Sequence, residues 1–292
     1  MSLTVQCAAK VNLYLAVVGS REDGYHDIVT LFQPVSLWDE VTLAPCVGGV
    51  RITGNDPAIP WDERNLCHRA ATLLLEAVGC VEGVSIDVHK AIPSGAGLGG
   101  GSSDAAATLV GINELFAFGL SPDQLREIAL GVGSDVPFFV LGRPAIGRGR
   151  GEILEVTTGL PPCHIVVVKP NITISTEWAY RNFSLLLTRE KSEVTLKQLL
   201  EGLRKFPNRE LNTYNSFESG VVEKFSEIGL VLQECRRQGA ILCSLSGSGS
   251  ACFALFDERH RAEEVSNYFI AKGLFASVTR PVNQALVLLW KE

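Results

Sequence analysis

The chain of 292 residues contains no apolar run approaching the ~18 residues that a membrane-spanning helix needs, so we expect no such helix. A basic leader is also missing. Lys10 is the only basic residue near the start, and Asn12 interrupts the apolar stretch around it. We therefore interpret the N-terminus as mature protein rather than as a signal peptide, and we expect a cytoplasmic location.

The chain has fewer basic than acidic residues. The 26 lysines and arginines stand against 32 aspartates and glutamates, which gives a net charge of −6. Nucleic acids and anionic membrane surfaces attract basic proteins, so neither is expected as the main partner. The apolar and charged shares, 46% and 20%, are typical of a globular protein. The length allows one large or two ordinary domains.

Closely spaced cysteine pairs are absent. The eight cysteines include no Cys-x-x-Cys pair, and no Cys and His cluster has the spacing of a metal site. Most of them lie in apolar runs, which predicts buried, reduced thiols rather than a disulfide framework. These cysteines are Cys7, Cys46, Cys67, Cys80, Cys163, Cys235, Cys243 and Cys252.

Glycine is concentrated in residues 93–103, where five of eleven positions are glycine. The next stretch, residues 104–116, predicts a helix, with Ser102, Ser103 and Asp104 as candidate N-terminal caps. A helix N-terminus has unpaired N–H groups and a partial positive charge, and glycines let the backbone approach a ligand. The stretch therefore predicts a phosphate cradle.

Other interpretations of this loop remain open to comparison. A flexible linker or a packing turn is one, although strand-like and helical neighbours disfavour it. A Walker A loop needs lysine where Gly101 stands. The dinucleotide fingerprint fits Gly95, Gly97 and Gly100 by letter, but a second helix capped by Ser121 follows instead of a strand. No protein-kinase His-Arg-Asp or Asp-Phe-Gly triplet occurs.

The remaining pattern predicts a mixed α+β protein with a domain break at residues 161–162, giving domains 1–160 and 161–292. Strands are predicted over residues 4–18, 28–43, 84–88, 165–169, 240–245, 251–256 and 285–290. Helices are predicted over residues 65–78, 104–116, 121–130, 176–186, 196–206, 216–238 (one or two) and 261–272. Residues 45–60 and 142–151 are expected to be loops. A second glycine turn occupies residues 246–250.

Several polar residues are candidates for chemistry. Lys10 and Asn12 project to the same side of the first strand, about 7 Å apart, either into a site or onto a solvated face. Asp135, in a glycine-rich turn, is either a helix cap or an acid-base group. Tyr25 and His26 end a polar turn, as an ordinary loop pair or as readers of a ring-shaped ligand.

Three stretches together resemble the galactokinase, homoserine kinase, mevalonate kinase and phosphomevalonate kinase superfamily: residues 8–13, 93–103 and 245–250. Within it, residues 9–13, 21–26 and 133–138 resemble the 4-diphosphocytidyl-2-C-methyl-D-erythritol kinase family. The resemblance implies a two-domain fold. Its N-terminal part is like ribosomal protein S5 domain 2, and its C-terminal part is ferredoxin-like.

The resemblance also implies ATP-dependent phosphorylation of the 2-hydroxyl of a cytidine-diphosphate-linked methylerythritol, in the non-mevalonate isoprenoid route, with ATP and Mg²⁺. Lys10 and Asp135 match the family's catalytic pair, and Asn12, Tyr25, His26 and Tyr180 match its substrate side. The matching ATP-binding positions are Asn65, Leu66, Lys90, Pro93, Ser94, Gly95, Ala96, Gly97, Leu98, Gly99, Gly100, Gly101, Ser102 and Ser103. Ser102 is a candidate Mg²⁺ contact, while the other metal ligands stay unknown.

Three alternatives bear on this function. A sister kinase would phosphorylate a small alcohol such as homoserine or mevalonate, but the Asp-Gly-Tyr-His turn disfavours that. A non-catalytic module would bind ATP or another anion without transferring phosphate. A structural protein would leave Lys10 and the two glycine turns unexplained.

Overall fold

The computed structural model describes residues 2–183, 189–207 and 211–291, which form two β-sheets with helices packed on them. The strands are β1 Ser2–Ser20, β2 His26–Cys46, β3 Val50–Gly54, β4 Gly83–His89, β5 Ala145–Gly149, β6 Ile153–Val156, β7 His164–Lys169, β8 Leu242–Leu245, β9 Cys252–Phe256, β10 Phe275–Thr279 and β11 Leu286–Lys291. The helices are α1 Leu66–Val78, α2 Gly100–Leu115, α3 Pro122–Val132, α4 Val136–Leu141, α5 Thr176–Arg181, α6 Arg189–Leu203, α7 Glu218–Lys224, α8 Ser226–Arg237 and α9 Arg259–Ala271.

The larger sheet has the strand order β11-β1-β2-β4-β3, and β5 and β6 extend it from β2. The smaller sheet has the order β10-β7-β9-β8. The last strand of the chain therefore returns to the sheet of the first. The boundary between residues 160 and 161 stays a prediction.

The long antiparallel pair β1 and β2 is buried on both faces, because the helices α1 and α2 cover one part and the smaller sheet covers the other. Lys10 and Asn12 are each 3% exposed. The alternative of a solvated outer face for these two residues is thus wrong, and their polar atoms must find partners inside the protein.

The helix α2 begins four residues before the predicted start. Its N-cap is Gly99, at φ 72°, so Ser102, Ser103 and Asp104 lie inside the helix and cap nothing. The helix α2 is also buried on nearly all sides. Gly111 allows this burial, since a Cβ there would overlap Leu43 of the sheet.

Other element predictions were right in kind and differed at their ends. The helix α1 begins one residue after its predicted start, with Asn65 as its N-cap, and ends at Val78 as predicted, with Gly79 as its left-handed C-cap. The helix α3 has the predicted Ser121 capping box. The helix α5 ends at Arg181, and residues 184–186 of its predicted range lie outside the described residues.

Two predicted loops contain strands. Residues 45–60 include β3, which pairs in parallel with β4, and residues 142–151 include β5, which pairs with β2. The strand β5 was missed because glycine and arginine dominate it. Gly147 is needed there, since a Cβ would overlap Phe32. The strands β6 and β10 were missed as well.

All eight cysteines are unpaired in the structure, and six of them are buried, so the predicted burial holds for most of them. Within the described residues, no helix is both long and apolar enough to span a membrane.

We expect Gly111→Ala to lower the free energy of unfolding by about 1–3 kcal/mol, because its methyl group must displace Leu43 from the sheet. The matched control is Gly131→Ala in α3, where the new Cβ would lie 3.6 Å from Leu73 and gain helix propensity. Urea unfolding of both variants measures the difference. Equal stabilities would show that α2 does not depend on this close approach.

Candidate active site

A cleft of about 1010 Å³ opens where the glycine-rich loop, β1 and α5 meet. Every site residue predicted from the sequence lines it, with the exception of Ser103. The Ser103 hydroxyl donates to the Ala8 carbonyl at 2.7 Å, and its N–H donates to Gly99 at 2.9 Å. Ser103 is fully buried, so it holds α2 to β1 and has no group left for a ligand.

The glycine-rich loop takes backbone conformations that suit glycine. Gly95, Gly97 and Gly99 have φ values of 62°, 75° and 72°. The first four N–H groups of an α-helix have no partner within it, and residues 99–102 at the start of α2 line the cleft, so α2 presents free donors to it. This arrangement fits an anion, as the sequence predicted.

The second glycine turn packs directly against the first. A Cβ on Gly97 would overlap the Ser246 carbonyl oxygen. The Ser246 hydroxyl donates to the Gly97 carbonyl at 2.9 Å, and the Ala251 N–H donates to the Ala96 carbonyl at 3.0 Å. Residues 246–250 therefore fix the shape of the glycine-rich loop.

Lys10 reaches the same loop from the middle of β1. Its ammonium donates to Asn12 Oδ1 at 2.5 Å and to the Gly97 carbonyl at 2.8 Å. Its Nζ lies 4.0 Å from Asp135 Oδ2. Burial lowers the pKa of Lys10, and the nearby Asp135 carboxylate only partly offsets this effect.

Asp135 lies at the N-cap position of α4, yet its side chain makes no capping hydrogen bond. About a third of the side chain, 35%, is exposed, and it faces the cleft beside Lys10. Asp135 therefore occupies the N-cap position, as one alternative predicted, but its carboxylate does not cap the helix and lies in the cleft instead.

Lys90 has a different environment. Its ammonium forms ion pairs with two buried carboxylates, Asp39 and Asp104, the latter at 2.5 Å. Asp39 also accepts the N–H groups of Ala91 and Ile92, at 2.6 and 2.8 Å. Burial opposes the charge on Lys90, but the two carboxylates prevail and raise its pKa. Lys90 thus anchors the chain where it enters the glycine-rich loop.

Asn65 and Leu66 line the side of the cleft next to Lys90. The Asn65 side chain accepts the Cys67 N–H at 2.9 Å and donates to the Pro60 carbonyl at 3.0 Å. Its predicted contact with a nucleotide stays a prediction, as does that of Lys90. Trp61, which also lines this side, was not predicted.

Aromatic rings form the far end of the cleft. The His26 ring stacks on Tyr180 with centroids 5.0 Å apart, and Phe183 meets His26 edge-on at 5.2 Å. This stacking distance leaves no slot for another ring between His26 and Tyr180. Tyr25 is 53% exposed, and the Arg150 guanidinium lies 4.8 Å from its ring centroid.

Comparison with known proteins shows the family of this chain. Residues 65–143 match the model of the GHMP kinases N terminal domain, and residues 195–273 match that of the GHMP kinases C terminal. A 4-diphosphocytidyl-2-C-methyl-D-erythritol kinase of Geobacter sulfurreducens is 38% identical over 281 residues, covering 96% of this chain and 99% of that relative. A protein of the same name from Chlorobium phaeobacteroides is 40% identical, covering 91% and 93%. The chain belongs to this kinase family.

Solved structures place the kinase in the same fold. A crystal structure of 4-(cytidine 5'-diphospho)-2C-methyl-D-erythritol kinase has a TM-score of 0.83 at 37% identity, covering 95% of this chain and 98% of that one. A homoserine kinase from Cytophaga hutchinsonii has a TM-score of 0.76 at 23% identity, covering 99% and 97%, which shows the fold alone. The predicted two-domain α+β fold of small-molecule kinases is thereby confirmed.

Reasoning from the sequence missed the side chains that hold the kinase's site residues. Asp39 and Thr30 are fully buried polar residues within the apolar strand β2. A polar residue in such a strand was the available signal, because a buried polar group requires a partner. The partner of Asp39, Lys90, lies 51 residues away in the sequence, and the partner of Thr30, Asn12, lies on the neighbouring strand. The sequence alone therefore could not predict these pairs.

We expect Lys90→Met to lower the free energy of unfolding by about 3–5 kcal/mol, because Asp39 and Asp104 would remain buried without their cation. Burial already raises the pKa of Asp104, and without Lys90 the rise is greater. A carboxyl group whose pKa is raised by folding stabilises the protein below that pKa and not above it. The deficit should therefore be larger at pH 8 than at pH 5.

Guanidinium chloride unfolding at both pH values tests this expectation. The control is Lys169→Met, which removes an ammonium that donates only to the carbonyls of Pro170 and Ile172. A deficit for Lys90→Met that matches the control, or that does not change with pH, would contradict the structural role of the ion pairs.

Proposed function

We propose that this kinase transfers the γ-phosphate of ATP to the 2-hydroxyl of 4-diphosphocytidyl-2-C-methyl-D-erythritol, in the synthesis of isoprenoid precursors by the non-mevalonate route. The observation that carries the proposal is the meeting of Lys10 and Asp135 at 4.0 Å, beside the loop at the start of α2. Curated relatives with this activity in their names support the choice of substrate.

The ATP phosphates bind at the free N–H groups of α2 and along residues 93–102, where glycines permit close approach. The adenine lies toward Asn65, Leu66 and Lys90. Lys10 then stands beside the terminal phosphate, where its positive charge stabilises the charge that spreads over the equatorial oxygens during transfer.

The acceptor hydroxyl lies between Asp135 and Lys10. An oxygen atom placed to one side of their 4.0 Å separation can hydrogen-bond to both groups. Asp135 accepts the hydroxyl proton as the oxygen attacks phosphorus, and Lys10 stabilises the developing alkoxide. The phosphoryl group leaves ADP and becomes a phosphate ester of the substrate.

Mg²⁺ is part of the proposal. It usually takes one or two protein oxygens and completes its shell with phosphates and water. The described residues contain no cluster of three or more His, Cys, Asp or Glu side chains that could hold a metal. Asp104 is already bonded to Lys90 and Cys7, so Ser102, which lines the cleft, is the oxygen donor that we propose for the ion. When bound, the ion offsets the charge of the ATP phosphates.

The aromatic end of the cleft holds the cytidine portion. Tyr25 and His26 line it, and Tyr180 supports the His26 ring by stacking, so the base lies on the open side of this pair. A kinase for a small alcohol would not need this aromatic end of the cleft. Product analysis after incubation with Mg-ATP and each of the cytidine-linked substrate, homoserine and mevalonate tests the assignment. Phosphorylation of homoserine or mevalonate alone would refute it.

We expect Asp135→Asn and Lys10→Ala each to lower turnover at least about a hundredfold, because acid-base and electrostatic contributions are of that size. ATP should still bind to both variants, since the glycine-rich loop supplies most of its contacts. Single-turnover kinetics and calorimetric titration with ATP measure the two effects. Near-normal single-turnover rates in both variants would remove the assigned roles.

We expect His26→Ala to weaken binding of the cytidine-linked substrate without changing the affinity for ATP. The imidazole lies at the aromatic end of the cleft, on the opposite side of Lys10 from Asn65 and Leu66 in the proposed arrangement. Calorimetric titration with each ligand separates the two sites. An equal loss of affinity for both ligands would show that His26 supports the whole fold instead.

A further inference from the structure

We propose that two buried hydroxyl groups, those of Thr30 and Ser246, are positioning residues for the Lys10 ammonium. Each fixes one of the two neutral acceptors that hold Lys10, and neither is among the residues that line the cleft. The inference rests on the proposed role of Lys10 in phosphoryl transfer.

The first acceptor is the Asn12 side chain, whose orientation Thr30 decides. Thr30 is fully buried, and its single hydroxyl proton is donated to the Tyr14 carbonyl at 2.7 Å. Toward Asn12 it therefore acts only as an acceptor, and it takes Asn12 Nδ2 at 2.8 Å. The Asn12 oxygen is thereby directed at Lys10, 2.5 Å away, where a reversed amide would present N–H groups to an ammonium.

The second acceptor is the Gly97 carbonyl, which Ser246 holds from the other side. Ser246 is fully buried at the start of the second glycine turn, and its hydroxyl donates to this oxygen at 2.9 Å. The Lys10 ammonium donates to the same oxygen at 2.8 Å. A carbonyl oxygen has two lone pairs, so it accepts both donors at once.

These two contacts also determine where the third N–H group of the Lys10 ammonium points. With two of its three N–H groups bound to Asn12 and Gly97, Lys10 has one left, and Asp135 at 4.0 Å lies too far for a direct hydrogen bond. The remaining N–H is the one available to the transferred phosphate or the acceptor oxygen. Misplacement of a catalytic group by about 1 Å can lower the rate about a hundredfold, so the two hydroxyls matter for turnover.

The test compares Thr30→Val and Ser246→Ala with variants that lose a buried hydroxyl elsewhere. Thr279→Val removes a buried threonine hydroxyl that donates to the Ile165 carbonyl, and Ser244→Ala removes a buried serine hydroxyl that donates to Glu218. We expect kcat to fall about 10- to 100-fold in the first pair, with little change in KM for ATP, and to stay near wild type in the controls. Thr30→Ser keeps the hydroxyl and should restore turnover.

A double-mutant cycle separates positioning from general damage to the fold. In a Lys10→Met background, Thr30→Val and Ser246→Ala should lower the residual turnover no further, because the group that they position is gone. A full loss in that background would overturn the proposal, as would kcat values equal to those of the controls. If Thr30→Val fails to fold, Ser246→Ala still tests the proposal, since it removes only a hydroxyl and leaves the Gly97 backbone in place.

The Lys10 ammonium can also be observed directly by nitrogen-15 NMR, with its signal assigned by its loss in Lys10→Met. Its protons should exchange faster with water in Thr30→Val and Ser246→Ala than in the controls. An unchanged signal would refute the positioning role. This readout needs no substrate, so failure of the wild-type enzyme to phosphorylate the cytidine-linked alcohol would refute only the proposed function.

Discussion

The burial of one ammonium group governs the arrangement of this cleft. Lys10 is 3% exposed, and a buried charge without partners costs several kcal/mol. Its partners come from three places, namely a side chain on its own strand, a carbonyl of the glycine-rich loop and a carboxylate before α4. The strand, the loop and the helix must therefore come together at one point to hold the buried charge.

The contact between the two glycine turns extends this constraint over the length of the chain. Gly97 and Ser246 are 149 residues apart, yet a single methyl group on Gly97 would push them apart. The glycine-rich loop is thus shaped by the turn that joins β8 and β9 of the other sheet. A helix N-terminus alone would attract an anion, but the second turn gives the loop one conformation.

Local chemistry made much of this arrangement predictable. The alternation of β1 placed Lys10 and Asn12 on one face, the cap at Ser121 followed from residue type, and the cleft gathers nearly all of the expected residues. The start of α2 was misplaced because Ser102 looks like a better cap than Gly99 in isolation. Close packing of the loop on Phe139 and Lys10 selects glycine there, and that contact is tertiary.

The two buried lysines of the cleft differ in the partners that surround their ammonium groups. Lys90 lies against two carboxylates, which raise its pKa and neutralise its charge within the protein. Lys10 is held mainly by neutral oxygens. Burial lowers its pKa, and the Asp135 carboxylate, 4.0 Å away, only partly offsets this effect. A cation that the protein has already neutralised offers little attraction to a phosphate. A cation that is oriented but not neutralised is stabilised most when an anion arrives, and this difference supports different tasks for the two lysines in the proposed function.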